Sequence, residues 1–195
     1  KYYRKWMKTR TGDIQFVLEH TIAQVNRTNQ ETTANGAQGV FELIDPTKIG
    51  VMGHSLGGSA ALGIGRMRDD ISAVVALESP YLCDISGVSD GEFVLIDSGY
   101  PTPVMNIYTD STWGKMSEWD QYQTNNQMLT SESDKVANVH LKGAGHFSIT
   151  DLGLSSPGLT RVLNGVKTTV DPTECLKEVN RITLDFFDRY LKGIS

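Results

Sequence analysis

Residues 51–63 read VMGHSLGGSAALG, and the pentapeptide Gly53-His54-Ser55-Leu56-Gly57 at their centre limits what this chain can fold into more than any other stretch. A Gly-x-Ser-x-Gly run acquires structural meaning when a strand precedes it and a helix follows. The serine then occupies a sharp turn with strained backbone angles. Side chains two residues away on either side would collide at such a turn, so Gly53 and Gly57 are expected to be glycines for steric reasons. Both flanks fit. Asp45-Pro46 turns the chain into a short apolar run, Ile49 to Met52, that reads as a buried strand. Leu56 to about Met67 reads as a helix, with Gly58, Ala60 and Ala61 small enough to pack close to a sheet. The turn lifts the Ser55 hydroxyl above the strand end and aims the Leu56 amide and the helix N-terminus at the same point, where a developing oxyanion would sit.

The remaining periodicities extend this to a fold class. Residues 13–26 carry Ile14, Val17, Leu18, Ile22 and Val25 at helical spacing, and Asn26 to Gly39 reads as a polar surface loop. Arg68-Asp69-Asp70 breaks the helix after the serine, and Ile71–Leu77 (ISAVVAL) is a second buried strand. A loop-rich segment runs from Glu78 to Pro103. Val104–Tyr108 and Val136–Leu141 are further strands, and Trp113–Leu129 is expected to be largely helical. The last helix opens on Asp171 as cap, Pro172 at its first position and Glu174 in its first turn, and closes at Gly193. Strands that are apolar throughout and alternate with helices imply an α/β fold, a mostly parallel sheet flanked by helices on both faces.

A serine hydroxyl needs a base to become a nucleophile. Of the four histidines, His20 lies beside the apolar face of the first helix and His140 lies within a strand, so both read as structural. His54 is too close in sequence to serve Ser55 and packs beside the site. His146 follows the last strand in the loop Gly143-Ala144-Gly145-His146, where no regular structure commits its ring, and is the candidate general base. The base in turn needs a carboxylate. Glu78 ends one strand and Asp110 the next. An ionisable group that terminates an apolar buried strand costs free energy unless it is paired, which gives Glu78 a reason to be there. Asp97, Asp120 and Asp151 are weaker candidates, and Asp151 is expected to brace the His146 loop.

GHSLGG after a strand resembles the α/β-hydrolase superfamily. The segments GDIQFVLEHTI, DPTKIGVMGHSLGG and GAGHFSITDL resemble its branch of platelet-activating-factor acetylhydrolases, cutinase-like esterases and dienelactone-hydrolase-like proteins, from about Thr11 to the C-terminus. The resemblance implies a serine esterase acting through an acyl-enzyme on a small-molecule or lipid-like ester, without a cofactor. Ser55 is then the nucleophile, His146 the base and Leu56 an oxyanion donor, with His54, Phe147 and Trp113 beside the substrate. Most of the superfamily carries its acid after the later strand, which favours Asp110. The acetylhydrolase branch carries an Asp after the earlier one, and by that resemblance Glu78, one methylene longer, is expected to be the triad acid, with Asp110 the alternative.

The superfamily draws its second oxyanion donor from a loop well upstream of the elbow. The 54 residues before Ser55 offer a helix, a polar loop and one strand, with no such unit. The chain is therefore expected to be one α/β-hydrolase domain over 1–195, its C-terminal two-thirds, with its N-terminal strands lacking and a further segment or second chain completing the sheet. A non-catalytic hydrolase-fold binding module is the rival expectation, and a peptidase or thioesterase on the same scaffold is a third. A net charge of -5 with no basic run argues against nucleic acid as partner. The His and acidic residues show no metal-ligand spacing. Cys83 and Cys175 lack CxxC spacing and are expected to be free thiols.

Overall fold

Ala73, Val75 and Leu77 alternate along the chain with Val74 and Ala76, and all five are buried. Alternation with both sets buried requires a strand covered on two faces. That strand is the second of four in a parallel sheet. The computed structural model describes residues 2–30 and 39–194. Its main sheet has the order β1 (Ile49–His54), β2 (Ile71–Leu77), β5 (Val104–Thr109), β6 (Val136–Leu141), parallel throughout. Between β2 and β5 the chain forms a separate antiparallel hairpin, β3 (Ile85–Ser89) and β4 (Glu92–Leu95). The helices are α1 (Tyr2–Gln30), α2 (Leu56–Met67), α3 (Gln123–Met128), α4 (Leu152–Ser155), α5 (Pro157–Asn164) and α6 (Pro172–Phe187).

Each face of the sheet has its own core. Ala73, Val75, Leu77, Met105 and Ile107 pack with Cys175, Val179 and Phe186 of α6. Val74, Ala76 and Val104 pack with Ala61, Leu62 and Ile64 of α2, and Ile14 and Leu18 of α1 close over that layer. Each fully buried side chain of this size contributes about 1.5–3 kcal/mol. Asp171 starts α6 as expected, its carboxylate accepting from the Thr173 and Glu174 amides. Gly193, at a φ of 68°, ends the short π-helical turn that continues it.

Several expectations are corrected. The first helix begins at Tyr2, because its buried stripe continues through Met7 and Thr11, and Val17 lies outside that stripe, 59% exposed. Asn26–Gln30 is the end of this helix rather than loop, and 31–38 of the expected polar loop lie outside the described residues. The strands are not apolar throughout. Asn106 of β5 is buried, accepts from the Tyr81 hydroxyl at 2.9 Å and donates to Asn138 of β6 at 3.1 Å, so its polar groups are paired inside the core. Trp113–Leu129 holds two 3-10 turns and the six-residue α3. There Met116 and Tyr122 pack on Tyr108, with Trp113 and Trp119 against them, and this packing outweighs helical propensity.

The hairpin was hidden in the loop-rich segment. Asp90 and Gly91 carry φ values of 53° and 87°, positive at both turn positions as a two-residue type I′ hairpin requires. Its base is tied to α2 by Arg66, whose Nε and Nη2 donate to the two Asp84 carboxylate oxygens at 2.6 and 2.8 Å. Asp84 is almost fully buried, and a buried pair broken from one side leaves an uncompensated charge. Asp84→Ala is expected to cost about 3–5 kcal/mol in urea denaturation. A loss under about 1 kcal/mol, the range of an exposed pair, contradicts this reading of the hairpin anchor.

Candidate active site

The C-terminal ends of β1, β2 and β5 lie side by side, and the sequence motif sits at the first of them. Ser55 has φ 56° and ψ −124°, a conformation that costs a non-glycine residue on the order of 1–3 kcal/mol. Its backbone is held on both sides. The Ser55 amide donates to Leu77 at the end of β2 at 2.8 Å, and its carbonyl accepts from Ser59 in α2 at 3.0 Å. Although Ser55 occupies the N-cap of α2, its side chain makes no capping bond. The Leu56 amide belongs to the first residue of that helix.

The glycines of the elbow do not divide as the motif suggests. A Cβ at Gly53 would lie 2.5 Å from the Gly57 carbonyl oxygen and 2.6 Å from the Gly58 nitrogen, both backbone atoms that cannot turn aside. A Cβ at Gly58 would lie 2.5 Å from the Gly53 carbonyl oxygen and run into the Ser79 side chain. A Cβ at Gly57 meets nothing within 4 Å. Steric need therefore falls on Gly53 and Gly58, where α2 presses on β1 and on the start of the loop after β2, and not on Gly57.

Glu78, at the exit of β2, is fully buried and has a φ of 52°. Its two oxygens are bound from three directions. Oε1 accepts the Thr109 amide at the end of β5. Oε2 accepts the Thr112 hydroxyl at 2.6 Å and lies 3.3 Å from Nδ1 of His146. A carboxylate removed from water this completely is retained only because its lone pairs are used. The His146 backbone is itself fixed, its amide donating to Ser111 Oγ at 3.0 Å. The His54 ring lies against the His146 ring at 4.4 Å, and its Nε2 is 2.9 Å from the His146 carbonyl oxygen. Burial, reinforced by the neighbouring imidazole of His146, holds His54 below the ordinary histidine range.

Asp110 is engaged elsewhere. Oδ1 lies 2.8 Å from Nε2 of His140, and Oδ2 accepts the Gly143 amide at 2.9 Å. Trp113 stacks on His140 with ring centroids 4.6 Å apart and planes 8° from parallel. The structure thus brings together two histidine–carboxylate pairs, Glu78 with His146 and Asp110 with His140. It places Trp113 on the second pair and Phe147 and His54 around the first, the Phe147 ring 5.0 Å from that of His146. Glu78 and His146 touch, while Ser55 stands beside them at the adjoining strand end without a hydrogen bond to either among the described residues. His20 is exposed on α1, stacked on Phe16. The Asp151 side chain was expected to brace the His146 loop, but it is the Asp151 carbonyl that is used, accepting from Leu154 and Ser155.

Thr109, Ser111 and Thr112 were not anticipated. Their signal in the sequence is the run Thr109-Asp110-Ser111-Thr112, four small polar residues at one strand exit. Among the described residues, no three His, Cys, Asp or Glu side chains are grouped as a metal ion would need. Both cysteines are free, and burial raises each thiol above its ordinary value.

A family model and one solved esterase structure agree with this architecture. The model of the family described as platelet-activating factor acetylhydrolase, isoform II, matches residues 5–193. Among solved structures, a ferulic acid esterase from Streptomyces cinnamoneus superposes with a TM-score of 0.57 at 22% identity, covering 96% of this chain and 49% of that one. The chain spans about half the length of that esterase. An α/β hydrolase from Penicillium, GrgF, superposes with a TM-score of 0.44 at 13% identity, covering 88% of this chain and 73% of that one. No curated protein matches the sequence. The fold is that of an α/β hydrolase.

Two outcomes follow from the site's geometry. Gly58→Ala is expected to lower stability by about 1–3 kcal/mol through overpacking against backbone, while Gly57→Ala is neutral or slightly stabilising. Equal losses in thermal denaturation contradict the division drawn between these two glycines. Because the folded state holds His54 below the ordinary value of 6.5, the unfolded chain binds this proton first, and the His54 contribution to stability is retained above 6.5 and falls as the pH drops through it. His54→Gln is expected to flatten that part of the stability–pH curve, and a variant curve parallel to the wild type contradicts it.

Proposed function

The chain belongs to the platelet-activating factor acetylhydrolase isoform II family, and we propose that it forms part of a serine hydrolase that cleaves carboxylic esters through an acyl-enzyme. The observation that carries this reading is the fully buried Glu78 carboxylate with Oε2 turned to Nδ1 of His146, next to the strained serine elbow. Glu78 orients the imidazole and stabilises its cationic form. Nε2 of His146 then accepts the Ser55 proton as Oγ attacks the carbonyl carbon, and the carbonyl electrons move onto oxygen. The Leu56 amide, at the positive end of α2, donates to that oxyanion. Collapse expels the alcohol, which takes its proton from His146. Water then attacks the acyl-enzyme by the same proton path in reverse and releases the acid.

His54 and Phe147 flank the imidazole and are proposed to contact the ester. Asp110 is assigned to the fold, since its oxygens are taken by His140 and Gly143. The described residues form part of one α/β-hydrolase domain in this reading. Among them, no strand other than β2 pairs with β1, and Met52 on β1 is half exposed. An unpaired, apolar strand edge favours addition of another strand. A further segment or second chain along β1 is proposed to complete the sheet and supply the second oxyanion donor.

Ser55→Ala is expected to abolish both turnover of a p-nitrophenyl ester and labelling by a fluorophosphonate. Glu78→Gln is expected to lower kcat by about 10³–10⁴-fold, the scale of losing the triad acid, and Asp110→Asn by less than about tenfold. The reverse order of the two acid variants, with both folded, overturns the assignment of Glu78. Absence of labelling in the wild-type protein supports the binding-module alternative.

A further inference from the structure

The loop that carries His146 has no regular structure of its own, yet its backbone is held at nearly every residue. The amides of Gly143, Gly145, His146 and Phe147 donate to the side chains of Asp110, Ser148, Ser111 and Asn164 respectively. Three of these four anchors meet at Asn164, the last residue of α5. Its Oδ1 accepts the Phe147 amide at 2.6 Å, its Nδ2 donates to Ser148 Oγ at 3.2 Å, and its carbonyl accepts the Ser111 hydroxyl at 3.2 Å. Ser148 Oγ in turn receives the Gly145 amide at 2.9 Å, and Ser111 Oγ receives the His146 amide at 3.0 Å.

The local sequence makes room for this arrangement. Asn164 is nearly buried. A Cβ on Gly145 would lie 2.7 Å from both the Cβ and Oδ1 of Asn164, so the glycine before His146 is where the asparagine side chain fits. Gly165, left-handed at a φ of 63°, ends α5 immediately after Asn164 and fixes where that residue stands. A short amide side chain with both a donor and an acceptor bridges two loop positions at once, which an apolar residue of the same size cannot do.

We propose that Asn164 is a positioning residue for His146: it holds the loop on both sides of the histidine so that the imidazole faces Glu78 and Ser55 together. The proposal rests on the reading of His146 as general base and acid. Its logic is geometric. The loop amides keep their hydrogen-bonding needs whatever the ring does, and without the Asn164 side chain the Phe147 amide loses its acceptor and Ser148 Oγ loses a donor, while the Ser111 hydroxyl keeps the backbone carbonyl at position 164. The ring then loses its registry with the reacting atoms, and a displacement on the order of 1 Å costs about a hundredfold in rate.

The test compares Asn164→Ala, Asn164→Asp and His146→Ala in the full chain, on a p-nitrophenyl ester and on an alkyl ester of the same acid. Asn164→Ala is expected to lower kcat by about ten- to a hundredfold with KM within about twofold. The loss is expected to be larger for the alkyl ester, whose poor leaving group depends on the proton His146 delivers. Asn164→Asp keeps the acceptor for the Phe147 amide and is expected to recover most of the rate. A purely structural role predicts a lowered melting temperature with equal effects on the two esters and no recovery by Asp, and that pattern overturns the proposal. So does a wild-type kcat in Asn164→Ala when His146→Ala is inactive. Turnover that survives in His146→Ala overturns the underlying reading of His146 instead.

Discussion

A carboxylate with no exposure to water must be bound on every side, and Glu78 is bound by the end of β5, by the loop after it and by the histidine after β6. Those three contacts join elements that are distant in sequence and adjacent only in the parallel sheet. Burying such a group without partners would cost several kcal/mol, so the site and the fold hold each other in place. The strained left-handed backbone of Glu78 is maintained the same way: its amide donates to Ile107 at 2.8 Å, and its carbonyl accepts from the Tyr122 hydroxyl at 3.3 Å. The loop beyond is pinned by Asn125, whose Nδ2 donates to the Ser79 carbonyl and whose Oδ1 receives the Tyr81 amide.

The same economy of space appears at the elbow. Ser55 and Glu78 are consecutive with His54 and Leu77, which are paired in register across β1 and β2. Both turn away from the sheet through a positive φ at equivalent strand ends. The approach of α2 to that corner is close because Gly58 lacks a side chain where Ser79 arrives. Ser55 and Glu78 are therefore neighbours by register alone, before any hydrogen bond between side chains is considered.

Elements whose physics is local were legible in the sequence. The strands β2 and β6 and the Ala/Gly-rich α2 have the bounds their patterns suggest, and Asp171-Pro172 marks the start of α6 because capping is decided within four residues. The hairpin was equally local. Asp90-Gly91 between alternating residues is a strong turn signal, overlooked because the surrounding prolines and glycines suggested loop. The extent of α1 is tertiary, since the burial of Met7 and Thr11 depends on α2 and the 3-10 turn Leu82–Asp84 packed against α1. At the site, Ser55 and His146 stood out by motif and loop context. The choice between Glu78 and Asp110 could not be made from spacing, because each directly follows a strand, and each meets a histidine in the fold. Which ring each one meets depends on how the chain returns after β6. Asn164 gave no sign at all, since its contacts form only when α5 folds back on the His146 loop.

The proposed mechanism depends on the pairing of Glu78 with His146 as the tetrahedral species forms on Ser55. Proton NMR of the protein bound to a boronic acid that forms a tetrahedral adduct on Ser55 observes that pairing directly. The predicted result is a strongly downfield exchangeable proton from the His146 Nδ1 position that is lost in Glu78→Gln and retained in Asp110→Asn. A downfield proton that survives Glu78→Gln and disappears in Asp110→Asn contradicts the account.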